Sequence, residues 1–390
     1  MITVEDARSL LFDLVSPLET ESVSLHKAAG RVLAQDVSAT RDQPPFPASS
    51  MDGYALKSTE VELHAMFKVI GESAAGRRFN GTVGPGQAVR IFTGAPVPEG
   101  ADFVIIQEDT ERRGDLITIS DEPGTKTNIR PAGIDFKAGN KITAPRILRP
   151  EDVALMAAMN IPTVPVARKP VVALISTGDE LVMPGEIPGP DQIIASNTFG
   201  LKALLENEGA QVRILPIARD TVASLETAFG LAAGADLVVT IGGASVGEYD
   251  LVADVSQNLG MERSFYKIRM RPGKPLMAGR LNGSAMVGLP GNPVSAMVCG
   301  YLFLLPMLRR MLGIEQVLAP FQHARLTEPI GKNGPREHYM RAVLSEDGIR
   351  ACADQDSSLL SVLARANALL VREPNDPARP AGDKVLYLPI

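Results

Sequence analysis

The 390-residue chain has only two cysteines, Cys299 and Cys352, and four histidines, His26, His64, His323 and His338. So few cysteines exclude a disulfide scaffold or a cysteine-based zinc site, and they fit a reducing compartment. The histidines are scattered and show no metal-ligand spacing. A basic excess is missing as well: charged residues make up 22% and the net charge is −6. That argues against a nucleic-acid-binding surface, and an anionic ligand would need a local basic cluster working against the overall charge. No uninterrupted apolar run reaches transmembrane length. The opening stretch "MITVEDARSLLFDLV" reads as an acidic amphipathic helix, without the cationic start and apolar core of a signal peptide. The expectation is a soluble, cytoplasmic protein with neither membrane nor nucleic acid as partner.

What is present is enough length for more than one core. Thr3 is placed to cap the opening helix, with Asp6 at its third position and Ala7, Leu10, Leu11 and Leu14 on one face. Between 37 and 139, Pro and Gly punctuate short alternating pieces such as "QAVRIFTG", "DFVIIQED" and "LITIS", which predict a β module. "RPEDVALMAAMN" (149–160) returns to helix, with Pro150 suited to the first turn. The module therefore reads as an insertion in a helical and extended platform made of 1–36 and 140–168. From 169 to 318 strand and helix alternate, and the strands are continuous apolar runs. That texture predicts a doubly wound α/β domain whose ligands lie at the carboxyl ends of its strands. Short strands recur in 319–390 ("HYMRAVL", "ALLVREP", "KVLYLPI"), predicting a small, barrel-like β domain. The fold class expected is multidomain, α/β plus β.

Three loops leave apolar strands in the same manner: "VVALISTGDEL" (171–181), "IGGASVGEYD" (241–250) and "AMVGLPGNPVSAM" (285–297). Gly242, Gly243 and Gly247 permit positive φ, so successive N–H groups can converge on an anion, with the Ser245 hydroxyl as a further donor. The alternative is a tight turn with no ligand. Glu248 and Asp250 beside such a cradle call for an intervening cation or sugar hydroxyl. In the third loop Gly288 and Gly291 form the turn, Asn292 caps, and Pro293 takes the first helical position, so free N–H groups face a phosphate. A well-made helix start is the alternative. "YKIRMRPGKP" holds Lys267, Arg269, Arg271 and Lys274, the densest positive charge in the chain. Alternation puts Lys267, Arg269 and Arg271 on one face if the segment is extended; the alternative is a solvated strand edge. Asp179 and Glu180 supply oxygen ligands suited to Mg²⁺, unless they form a plain acidic turn. Together these loops describe a phosphorylated, metal-bridged ligand. Neither a GxxxxGK[ST] loop nor a G-x-G-x-x-G fingerprint occurs, so ordinary ATPase and NAD readings lack support.

In this order, "STGDEL", "TIGGASVGEYD", "RPGKP" and "GLPGNPVSA" resemble the molybdopterin molybdenumtransferase family, bacterial molybdenum-insertion proteins whose eukaryotic relative is the C-terminal domain of gephyrin. "SSMDGYAL" (49–56), "IFTGAPVPEGAD" (91–102) and "NIRPAGIDFKAG" (128–139) look like that family's β-module motifs. The resemblance implies transfer of molybdenum from molybdate to adenylylated molybdopterin, with release of AMP and with Mg²⁺ assisting. It also implies a homodimer with shared active sites and transient contact with other molybdenum cofactor biosynthesis proteins. Carried over by position, the catalytic residues are Asp52, Asp135, Glu180 and Asp250, with Glu180 and Asp250 as the metal ligands. Thr93, Asp220, Lys267, Arg271, Lys274, Arg341 and Ser357 become substrate-binding. The loops add Thr177, Gly178 and Asp179, then Gly242, Gly243, Ser245 and Gly247, then Pro290, Gly291, Asn292, Pro293 and Ser295. Two positions depart from the family. Arg271 stands where a lysine is common, so it would grip an oxyanion bidentately. Pro47 and Ala48 replace an Asp-Asn pair. A non-catalytic molybdopterin-binding scaffold and a molybdopterin adenylyltransferase are the competing readings. The surviving acidic positions disfavour the first; the β module and "MDGYA" disfavour the second.

Overall fold

Thr3 opens the helix Val4–Asp13 with a reciprocal capping box: its hydroxyl accepts from the Asp6 N–H, and the Asp6 carboxylate accepts from the Thr3 N–H. The buried stripe Val4, Ala7, Leu11 packs into the same core as the α/β strands. This helix therefore covers the α/β layer and is not part of the platform expected for 1–36. The computed structural model describes residues 1–243 and 251–390.

The platform is a four-stranded antiparallel sheet ordered Thr20–Ser24, Thr163–Ala167, Val32–Leu33, Arg146–Ile147. With the helix Pro150–Ala158 it buries Leu33, Leu148, Met156, Val164 and Val166. The chain leaves it through Val37–Ser38 and returns through Lys141–Ile142, and these two segments pair with each other. Adjacent exit and re-entry let the intervening 37–139 fold on its own sheet. That sheet is ordered Phe103–Ile106, Gly53–Leu56, Gln87–Ile91, Met66–Ser73, Leu116–Ile119, Thr110–Arg113. Gly53 lies in it with no room for a side chain: a methyl there would sit 1.8 Å from the Ile105 carbonyl oxygen.

The α/β sheet runs Gln211–Ile214, Val171–Ser176, Leu237–Ile241, Ser284–Leu289, Met277–Leu281, Glu262–Tyr266. The first four strands are parallel and the last two antiparallel. Helices Asn197–Asn207, Pro293–Cys299 and Leu305–Met311 close one face over Leu174, Val239 and Val287. Helices Val222–Leu231 and Leu251–Asn258 close the other over Ala173, Val238 and Met286. With both faces covered, the central strands Val171–Ser176, Leu237–Ile241 and Ser284–Leu289 are mostly apolar, which is why these runs stand out in the sequence. Among the described residues one helical stretch, Pro293–Met311, is long and apolar enough to cross a membrane, but 78% of it is buried inside the protein. It is a core helix.

The C-terminal sheet is ordered Met270–Arg271, Glu337–Ser345, Ala368–Arg372, Lys384–Pro389, Gln322–Arg325, with Gly348–Ala351 paired to Glu337–Ser345. A bridge between Leu326 and Ile349 brings its ends together around Leu326, Ala342, Ile349 and Leu370. Its edge strand Met270–Arg271 comes from within 169–318 and runs parallel to Glu337–His338, so pairing crosses that boundary.

Candidate functional site

Ser176, Ile241 and Leu289, the last residues of three parallel strands, lie in one register row. Their exit loops therefore arise side by side at the carboxyl edge. The Gly242 N–H donates to the Leu289 carbonyl at 3.1 Å, and its φ is +96°. A methyl on Gly242 would lie 2.7 Å from the Thr177 carbonyl oxygen, and one on Gly243 would lie 2.2 Å from Val252 Cγ2. A methyl on Gly291 would approach the Gly242 Cα at 3.5 Å. Thr177, Gly242, Gly243 and Gly291 are thus brought together, and the buried Thr177 hydroxyl, beside Gly242 and Gly243, has no partner among the described residues. Ser245, Gly247, Glu248 and Asp250 lie outside the described residues.

The "STGDEL" turn is tied to the loop after Gln211–Ile214. The Gly178 N–H donates to the Ala218 carbonyl at 3.1 Å. Arg219 Nη1 donates to the carbonyls of Asp179 and Leu181, both at 3.0 Å. Asp179 Oδ1 accepts from the Asp220 N–H at 3.1 Å, so this carboxylate braces the loop. Glu180 folds back over Gly178: a methyl on that glycine would lie 2.4 Å from Glu180 Oε2. Glu180 and Asp220 are exposed. Among the described residues no three His, Cys, Asp or Glu side chains cluster as a metal cage. Mg²⁺ does not require one, since it is commonly held by one or two carboxylates together with substrate phosphates. The exposed carboxylate of Glu180, folded over Gly178 in this turn, fits that pattern.

The backbone of the basic run is paired at two points. Ile2 bridges to Ile268 on one side, and Met270–Arg271 pairs with the C-terminal sheet on the other. Ile268 and Met270 are buried while Arg269 and Arg271 point outward, and the half-buried Lys267 adopts φ +70°. The turn closes through N–H bonds from Ile268 to the Lys274 carbonyl and from Lys267 to the Leu276 carbonyl. Lys267 Nζ lies 4.6 Å from the Tyr266 ring centroid, and Lys274 is half-buried.

Arg341 is fully buried and donates through Nη2 to the carbonyl of Asp356 at 2.9 Å, while its Nε and Nη1 have no partner among the described residues. Burial pushes its pKa down. The loop it holds delivers Ser357 to the helix start at Pro293. The Val294 N–H donates to the Ser357 carbonyl at 3.1 Å, and Asn292 Nδ2 donates to the Ser357 hydroxyl at 3.0 Å. Two expectations change here. Asn292 makes no side-chain cap, although Pro293 does occupy the first turn, and one of that turn's N–H groups is taken by Ser357. Pro290 and Ser295 are buried in the floor.

Asp52 and Thr93 are joined on the β module. Thr93 donates its N–H (2.7 Å) and its hydroxyl (2.9 Å) to Asp52 Oδ1, and these bonds lower the carboxyl pKa. Asp135 is exposed, its N–H bonded to the Gln43 carbonyl at 3.0 Å. Among the described residues no sheet combines strands of 37–139 with strands of 169–318. Sequence reasoning missed Arg219, Arg90 and His338. Arg219 adjoins the chosen Asp220, but its acceptors are carbonyls some 40 residues away in sequence. His338 is buried with an unpartnered Nε2 and is pushed down to about 4 by burial and then by Arg271, Arg341, Arg372 and Arg336.

Comparison with known proteins covers the whole chain. Residues 2–160 match the "MoeA N-terminal region (domain I and II)", 173–310 the "Probable molybdopterin binding domain", and 323–390 the "MoeA C-terminal region (domain IV)". A molybdopterin molybdenumtransferase from Nostoc sp. is 35% identical over 100% of this chain and 94% of its own. One from Haemophilus influenzae is 36% identical over 100% and 98%. The crystal structure of a molybdopterin biosynthesis MoeA protein from Pyrococcus horikoshii superposes with a TM-score of 0.87 at 30% identity, covering 99% of this chain and 98% of that one.

Proposed function

The chain belongs to the molybdopterin molybdenumtransferase family, and we propose from that premise that it inserts molybdenum from molybdate into adenylylated molybdopterin, releasing AMP. It is a transferase of molybdenum cofactor biosynthesis. The observation that carries the specific reaction is the packing of Thr177, Gly242, Gly243 and Gly291 at one sheet edge, with Glu180 folded over the neighbouring Gly178. Closely approached loop backbone, a buried hydroxyl and a carboxylate then share one strand edge, which suits a phosphate-bearing, metal-bridged substrate. Backbone groups of the glycine loops hold the phosphates, and Arg271 and Lys274 draw in the molybdate dianion. Ser357, clamped to Asn292 and Val294, encloses the helix start. Among the described residues Glu180 would hold Mg²⁺, which when bound would withdraw charge from the phosphoanhydride. Asp52, oriented by Thr93, is the carboxylate that the β module contributes.

The same reading includes a cytoplasmic C₂ homodimer in which the module of one subunit completes the loops of its partner. The support is that Asp52 and Thr93 are carried by a sheet sharing no strand with the α/β layer. The test is to incubate protein, adenylylated molybdopterin, molybdate and Mg²⁺, then assay AMP and molybdenum-loaded cofactor. AMP and loaded cofactor should appear together. AMP no higher than in the protein-free control would refute the reading, and would leave the binding scaffold as its replacement.

A further inference from the structure

Arg90 was not among the candidate residues, yet its side chain is unusually constrained. It stands across from Tyr54 in the β-module sheet. Its guanidinium lies 5.1 Å from the Tyr54 ring centroid and 4.7 Å from that of Phe92, stacked against two aromatic faces. Nη1 donates to the Gly53 carbonyl at 3.2 Å, and Nη2 donates to Gln107 Oε1. Both acceptors border Asp52: Gly53 follows it in the chain, and the Gln107 N–H donates to the Asp52 carbonyl at 3.0 Å. Thr93, three residues beyond Arg90, holds the carboxylate itself. One planar, two-pronged cation therefore fixes both flanks of the turn that presents Asp52, and its charge is felt by that carboxylate. A side chain needed only to cover Tyr54 would serve as well with an apolar stem and no charge.

We infer that Arg90 is a positioning residue for Asp52, clamping the Gly53 and Gln107 sides of its turn so that the carboxylate is held in a single orientation. The kinetic part of this inference rests on the proposed reaction; the structural part does not.

Arg90→Met keeps the stem between the rings and removes the charge and both donors. Arg90→Lys keeps the charge without the fork. In protein carrying ¹³C-labelled aspartate, with the Asp52 signal assigned through Asp52→Asn, the Asp52 titration midpoint should rise in Arg90→Met and rise less in Arg90→Lys. With the full reaction, Arg90→Met should lower kcat about tenfold while changing KM for adenylylated molybdopterin by about twofold or less, the size of one lost charge-assisted contact. Placed in the Asp52→Asn background, it should cost nothing further. An Asp52 midpoint unmoved in either variant would overturn the inference. So would an Arg90→Met loss of equal size with and without Asp52. If wild-type protein releases no AMP, the proposed function fails, while the titration still decides the role of Arg90. Should Arg90→Met not fold, Arg90→Lys carries the same comparison.

Discussion

Replacing Gly242 by alanine tests whether the anion loop is built by space or by flexibility. The added methyl would stand 2.7 Å from the Thr177 carbonyl oxygen and 3.0 Å from the Thr177 hydroxyl. The carbonyl is backbone, and it has little freedom to move: the Thr177 N–H is bonded to Ile241 at 3.0 Å and the Gly242 N–H to Leu289 at 3.1 Å. The residue also sits at φ +96°, where a side chain is strained whatever the room. Strain in such a region costs about 1–3 kcal/mol, and overpacking a closed contact about 1–3 kcal/mol more. The sum is about 2–6 kcal/mol. At about 2–4 °C per kcal/mol for a domain of this size, the α/β transition should fall by roughly 5–20 °C. Gly291→Ala is the matched control. It adds the same methyl at the same site but at 3.5 Å from Gly242 Cα, an ordinary contact, and should change stability by less than about 0.5 kcal/mol. It should nevertheless weaken adenylylated molybdopterin binding, because the methyl occupies the floor of the loop cluster. Differential scanning calorimetry with titration calorimetry separates the two effects. Equal melting temperatures for the two variants would refute the steric argument.

Asp236 accepts from Arg168 Nη2 and Nη1 at 2.8 and 2.9 Å and from the Val171 N–H at 2.7 Å, tying platform to α/β sheet. Burial alone would raise its pKa, but these bonds lower it overall, so its stabilisation is present above the free-carboxyl pKa and is lost as pH falls through the folded value. Asp236→Asn should therefore lose about 1–3 kcal/mol at pH 7, with the gap to wild type closing in acid; a gap independent of pH in urea melts would contradict this. His338, held down to about 4 against about 6.5 when free, contributes stability above the free value that falls away by roughly 3 kcal/mol as pH drops to 4. His338→Gln should flatten that acid limb, and an unchanged limb would exclude His338 as its source. Asp52→Ala and Glu180→Ala, each inactive alone, should recover about a quarter of the sites when mixed and allowed to exchange subunits, since random pairing makes about half the dimers mixed and each of those holds one intact site. No recovery, with exchange confirmed on native gels, would place both residues in the same chain's site.

What could be read from sequence here follows the range of the forces involved. The central parallel strands were legible because helices on both faces make them mostly apolar, and the glycine loops because they interrupt those runs. The amphipathic stripe of Val4–Asp13 announced a buried helix but not its neighbour. Periodicity reports that a face is covered, and only the tertiary fold decides that the cover is the α/β core. Asn292 had the composition of a cap, but its side chain instead donates to the Ser357 hydroxyl 65 residues away, and the Ser357 carbonyl takes the Val294 N–H. Arg219 and Arg90 were invisible for a related reason: their acceptors are mostly carbonyl oxygens, which every residue has, so no side-chain pattern marks them.

Gly53 shows where a signal was present and was read too narrowly. In "MDGYA" the glycine sits inside a strand, against strand propensity, and its φ is not positive. A glycine that does not need its conformational freedom must be there for want of space, and the Ile105 carbonyl 1.8 Å from its would-be methyl supplies that reason. The same distinction divides the loop glycines. Gly242 and Gly243 combine positive φ with forbidden contacts, whereas Gly291 has neither, although all three look alike in sequence. Loop composition therefore located the candidate site, but which glycines are irreplaceable depends on how near neighbouring backbone approaches, and that is a property of the packed sheet edge alone.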